Sequence, residues 1–126
     1  MDILLIDDDR DFLDGREYNV ERSSASAVAH FSNEDGTYNG VSYKSVWLDF
    51  SLRGSDSVMD FIMFAARLAN AGTPLDVETF VIHTSSWDGA SLIKMVLEEA
   101  GYTTARHDIS NPSIPKIIGV RPSTAE

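Results

Sequence analysis

The chain contains no cysteine, which excludes a disulfide framework and thiolate metal ligands and leaves oxygen and imidazole donors for any metal chemistry. It is also short of positive charge. Ten Lys and Arg stand against twenty Asp and Glu, a formal net charge of -10, so bulk nucleic-acid binding is disfavoured. A long uncharged apolar run is missing as well: only four apolar residues, 3–6, precede the first aspartates. Neither a membrane span nor a secretory leader is therefore expected, and the expectation is a soluble, cytoplasmic protein. Proline is scarce, with four in 126 residues, but Pro112, Pro115 and Gly119 stand where a last helix would run. The tail, residues 109–126, is expected to pack irregularly. With 43% hydrophobic residues, the chain is long enough for one sizeable core, hence a single domain over 1–126.

What the sequence does have is acid concentrated at one place. Residues 3–9 read ILLIDDD, and Asp2, Asp7, Asp8, Asp9, Asp11 and Asp14 all fall near the start, whereas Arg106, Lys116 and Arg121 lie near the end. Three adjacent carboxylates repel one another, and a divalent cation would relieve that repulsion. The competing reading is a solvated turn, where aspartate is common because it bonds its own backbone.

The continuous apolar run 3–6 predicts a strand buried on both faces, the kind found in parallel sheets. Further strands are expected at 18–22, 45–50 (SVWLDF), 79–83 (TFVIH) and 102–107. Between them, 57–71 carries Val58, Phe61, Ile62, Ala65 and Leu68 at helical spacing, with Ser57 and Asp60 placed for a capping box and Gly72 as the stop. Residues 87–100 predict a second helix with Leu92, Met95, Val96 and Ala100 on one side, and 24–31 a shorter one, followed by a loop at 33–40. Trp47, Met59, Met63 and Phe64 read as packing residues. Alternation of strand and helix implies a parallel sheet with its ligand site at the carboxyl ends of the strands. The first strand ends at Asp7-Asp8 and the third at Asp49. Only about ten residues, 10–17 and their flanks, link the first two strands, near the minimum for a parallel crossover, so no full first helix is expected.

Three stretches in this order, ILLIDDD (3–9), SVWLDFSLRG (45–54) and FVIHTSSWDG (80–89), resemble the receiver domain of two-component response regulators over residues 2–108. Asp7-Asp8-Asp9-Arg10, the short 10–17 link and His83-Thr84 look most like the cyclic-phosphate-processing branch of that family, as do glycines 54, 89 and 101. The resemblance implies a receiver- or flavodoxin-like, three-layer, doubly wound α/β domain. Its five parallel strands would run in the order 2-1-3-4-5, with the first and last helices reduced or missing. It further implies Mg2+ (or Mn2+) on Asp7, Asp8 and Asp49, Asp49 as the phosphoacceptor, and Thr84 as a hydroxyl contacting the phosphoryl group. Where that branch has His-Asp after the third-strand aspartate this chain has Phe50-Ser51, and where it has asparagine this chain has Ser86. Ordinary receivers carry a lysine after the fifth strand; the aligned stretch here is Ala105-Arg106-His107-Asp108.

His83 is a candidate acid-base or phosphate-contacting residue or, alternatively, a hydrogen-bonded core histidine. Thr84, Ser85 and Ser86 either contact phosphate or cap the following helix. Arg10 and Arg53 either bind a phosphoester or neutralise the acidic cluster. The expected function is metal-dependent phosphoryl or cyclic-phosphate chemistry, or binding, on a phosphorylated small molecule or phosphodonor. The alternatives are a degenerate receiver acting as a protein-interaction module, and sequestration of a phosphate-containing nucleotide.

Overall fold

The computed structural model describes residues 2–107 and 118–120. Ten elements follow one another: β1 (Ile3–Ile6), β2 (Arg10–Phe12), β3 (Asn19–Glu21), α1 (Ser24–His30), β4 (Ser42–Leu48), α2 (Met59–Asn70), β5 (Asp76–Ile82), α3 (Trp87–Glu99), β6 (Thr104–Arg106) and β7 (Ile118–Val120). Five strands form a parallel sheet in the order β3-β1-β4-β5-β6. Counting only these strands, that is the expected 2-1-3-4-5 order, and it is compatible with a flavodoxin-like fold. β2 and β7 form a separate antiparallel pair.

The period-two alternation of strands divides the core. Leu4, Ile6, Val46, Leu48, Phe80 and Ile82 point to one face, where they join Ala27 of α1, Phe61, Ile62 and Ala65 of α2, and Ala90, Ile93 and Leu97 of α3. Leu5 and Trp47 point to the other and are covered by Phe12 of β2 and Ile118 of β7. Among the described residues the three helices thus lie against one face, and the β2–β7 ribbon covers the second. Helices on both faces were the expectation. With no room for a helix between β1 and β3, a ribbon of two three-residue strands supplies the second covering layer instead. Edge contacts of Phe12 with Trp47 and with Tyr18, each with ring centroids 5.0 Å apart, lock it down.

Most expected elements are found, with shifted ends. β4 and β5 each begin three residues earlier than expected, and β4 ends before Asp49. Of the tail only residues 118–120 are described, and they form β7; the rest of 109–126, with Pro112, Pro115, Lys116 and Arg121, and Asp108 before it, lies outside the described residues. The capping box expected at Ser57 and Asp60 is absent. Val58 occupies the N-cap of α2 in a helical conformation without a side-chain cap, and the Ser57 hydroxyl accepts the Met59 N–H at 3.3 Å. A capping box does occur at the start of α1, between Ser23 and Ser26. The apolar face expected for α3 is displaced too. Ala90, Ile93 and Leu97 are buried, while Leu92 is 38% and Met95 50% exposed, because the sheet is met by the stripe one position away. Gly72 and Gly101 sit at φ +86° and +101° directly after the C-caps of α2 and α3, the left-handed turn that ends a helix at little cost only with glycine.

Candidate metal centre

The strand ends form a staircase. The N–H of Asp7 bonds the Glu21 carbonyl at 3.2 Å, that of Asp49 the Ile6 carbonyl at 3.1 Å, that of His83 the Leu48 carbonyl at 3.0 Å and that of His107 the Ile82 carbonyl at 2.9 Å. Each residue is the first beyond its strand and is still held by one bond to the neighbouring strand. Asp7, Asp49 and His83 follow Leu5, Trp47 and Val81 by two positions, so they continue the ribbon-covered face of the sheet.

This register brings Asp7, Asp8 and Asp49 together, with one carboxylate oxygen from each within 4.8 Å of the others. Asp7 has no exposed surface and Asp49 is 8% exposed; Asp8 is half-buried. Asp7 Oδ1 accepts the N–H groups of Asp9 at 3.1 Å and Arg10 at 3.0 Å, turning the chain sharply after β1. Its Oδ2 is buried with no hydrogen-bond partner among the described residues, and so are both ring nitrogens of His83, whose Nδ1 lies 3.8 Å from that oxygen. Groups in that condition cost roughly 1–3 kcal/mol each.

The electrostatics follow from burial. Burial pushes the Asp7 carboxyl up to about 6 against the two backbone N–H groups, and the neighbouring Asp49 charge adds to the rise. Asp49 is raised for the same first reason, opposed by Arg10, by a hydrogen bond with the Thr84 side chain and by its own bond from the Phe50 N–H at 2.8 Å. His83 is pushed down to about 3, by burial first and then by Arg10 and His107. Its imidazole is accordingly neutral at neutral pH, with a lone pair free for a proton or a metal.

The carboxylates lean on one cation of the chain itself. Arg10 Nη1 stands 3.5 Å from Asp49 Oδ2 and 3.8 Å from Asp7 Oδ2. Arg22, which the sequence did not single out, clips the same turn from outside. Its Nη1 donates to the Arg10 carbonyl at 2.6 Å and the Asp7 carbonyl at 3.3 Å, and its Nη2 to Asp11 at 2.9 Å. A lone arginine one residue after a short strand carries no motif; only the fold aims it at the acidic turn.

The remaining candidates separate. Thr84 is buried next to Asp49, and its hydroxyl accepts the Ser86 N–H at 3.1 Å. Ser86 caps α3 by accepting the Gly89 N–H at 3.1 Å, and Ser85 is exposed beside it. Arg53 is exposed in the β4–α2 loop, where its carbonyl accepts the Asp56 N–H at 3.3 Å. Arg106 and His107 diverge around the sheet: Arg106 Nη2 donates to the Thr84 carbonyl at 3.2 Å, while the His107 ring packs 5.3 Å from that of Trp47. Phe50 lies against Gly89, at which a Cβ would come within 2.5 Å of the Phe50 ring.

No family model matches this chain, and no curated protein or solved structure matches it either. The acidic cluster has to be read from its own chemistry. Hard oxygen donors converging at the carboxyl end of a parallel sheet, one of them buried with no hydrogen-bond partner among the described residues, fit a divalent cation. Among the described residues no helix is long and apolar enough to cross a membrane.

Proposed function

We propose that the chain is a receiver-like domain that binds a divalent cation, Mg2+ or Mn2+, at Asp7, Asp8 and Asp49 and handles a phosphoryl group there. The observation that carries this reading is Asp7 Oδ2, an acceptor with no exposed surface, no hydrogen-bond partner among the described residues and two further carboxylates within reach. A bound cation would offset the negative charge of phosphoryl oxygens brought against these aspartates. Asp49 is the nucleophile. One carboxylate oxygen bonds to phosphorus while the bond from phosphorus to the leaving oxygen breaks, and the leaving oxygen takes a proton from water. Thr84 is the hydroxyl beside Asp49. Arg10, already within 3.5 Å of Asp49, is placed to turn from carboxylate to phosphate. Neutral His83, its Nδ1 3.8 Å from Asp7 Oδ2, is the imidazole this reading assigns to contact with a cyclic phosphate.

Two measurements test this. Millimolar Mg2+ or Mn2+ raises the melting temperature of the parent chain, and Asp8→Asn or Asp49→Asn abolishes the rise; an unchanged melting temperature counts against the centre. Incubation with acetyl phosphate and Mg2+ then adds one phosphoryl mass, lost in Asp49→Asn, whereas conversion of a 2′,3′-cyclic phosphate is followed by phosphorus NMR.

A second reading, an interaction module without chemistry, is favoured by Arg10, because its guanidinium already provides a positive charge between two of the carboxylates. That reading requires a partner whose capture survives both EDTA and Asp49→Asn.

A further inference from the structure

Beyond the metal centre the molecule has a cavity of about 520 Å³ between α3 and the edge strand β6, within the range of about 300–1,000 Å³ that small-molecule sites occupy. Ala90 of α3 is part of its apolar wall, Ser85 and Lys94 add polar groups, and Thr84 belongs both to this wall and to the surroundings of Asp49. At the mouth stands Trp87, 74% exposed, with the Arg106 guanidinium 5.5 Å from its ring centre. An indole presented so openly is unusual unless something covers it, since large aromatic side chains gain most from burial.

The charges at the mouth are unequal. Lys94 is held by both oxygens of Glu98 at 2.9 Å. Arg106 engages the Thr84 carbonyl and the Trp87 ring and, among the described residues, no carboxylate. In a chain of net charge -10, an arginine with no carboxylate partner among the described residues, beside an exposed indole, offers two kinds of contact at once: stacking for a flat ring, and the guanidinium fork for an anion.

We propose that this cavity binds an organic phosphate of mononucleotide size, its ring against Trp87 and its phosphate on Arg106 at the Thr84 end. The binding site stands on the cavity alone. That the same ligand is the substrate of the aspartates rests on the reading above, and Thr84, common to both places, is the observation that joins them.

The test is titration of the full chain with AMP, adenosine and inorganic phosphate in EDTA, read by calorimetry and by tryptophan fluorescence, Trp47 being buried and Trp87 open. AMP binds and quenches, while adenosine and phosphate each bind at least tenfold more weakly. Trp87→Ala and Arg106→Gln, both at exposed positions, each weaken AMP at least tenfold while leaving the Mg2+ melting shift of the parent in place. AMP binding that is undetectable, that is matched by adenosine or by phosphate alone, or that is unaffected by both substitutions overturns the proposal. A chain that shows no metal shift yet needs Trp87 and Arg106 for AMP keeps the binding site and loses only the link to the aspartates.

Discussion

Asp7 holds two opposed roles within one side chain. Its Oδ1 is fixed by backbone donors and shapes the turn; its Oδ2 is buried with no hydrogen-bond partner among the described residues. A carboxyl lifted from 3.8 to about 6 costs the metal-free fold on the order of 3 kcal/mol at neutral pH. Asp7→Asn keeps the Oδ1 acceptor and turns a neutral amide toward His83. In EDTA it should raise stability by about 1–3 kcal/mol, measured by urea unfolding, while removing stabilisation by Mg2+. Lower stability in EDTA would show that the charge is better accommodated than its burial implies. The pH dependence has two parts of opposite sign. His83, folded at about 3 against an ordinary 6.5, contributes stability above pH 6.5 that is lost as the pH falls toward 3, because the unfolded chain takes up the proton first. Asp7, with its folded value raised, contributes the reverse between about 6 and 4, and Asp49, also raised by burial, acts in the same sense. The displacement of His83 is the larger. From pH 6.5 to 4 the opposed parts largely cancel in the metal-free chain, and His83→Gln should uncover the carboxylate part, so that stability rises as the pH falls in unfolding titrations; an unchanged slope would contradict a neutral buried imidazole.

The elements around the centre show what the sequence could and could not convey. β1, β4 and β5 were legible because each is a short apolar run ending in a polar residue, and α2 because Val58, Phe61, Ile62 and Ala65 all face the sheet as their spacing predicts. The convergence of Asp7, Asp8 and Asp49 was legible too, since strand ends in a parallel sheet share one side. The buried stripe of α3 was not: Leu92 and Met95 are as apolar as Ile93 and Leu97, and only the angle at which the helix meets the sheet decides between them. The same junction explains Phe50, whose ring occupies the space that a side chain at Gly89 would need. Gly89→Ala should cost about 1–3 kcal/mol by overpacking, even though alanine suits a helix better. Phe50→Leu should recover part of it in a double-mutant cycle. Additive effects would mean that the two positions do not share a space.

At the largest scale, the parallel sheet carries two unlike coverings among the described residues: a thick layer of three helices and a thin ribbon of two three-residue strands. The ribbon escaped the sequence reading because Arg10–Phe12 holds a single apolar residue and its partner strand lies more than a hundred positions away. Yet it roofs the face on which Asp7, Asp49 and His83 are set. Phe12, 4% exposed and edge-on to Trp47, is its main anchor. Phe12→Ala should cost about 3–5 kcal/mol and shift Trp47 emission to the red; unchanged emission would mean that the ribbon does not shield that face. Among the described residues, the face above the aspartates is thus thinly roofed, by this ribbon alone.

All of this turns on whether three carboxylates at neighbouring strand ends hold one ion. Electron paramagnetic resonance of free Mn2+, titrated against the full chain, measures that directly. The expected result is loss of free-ion signal saturating at one Mn2+ per chain, reversed by Mg2+ and absent in Asp7→Asn with Asp49→Asn. A free-ion signal undiminished at millimolar Mn2+, or equal uptake by the double variant, would contradict the account.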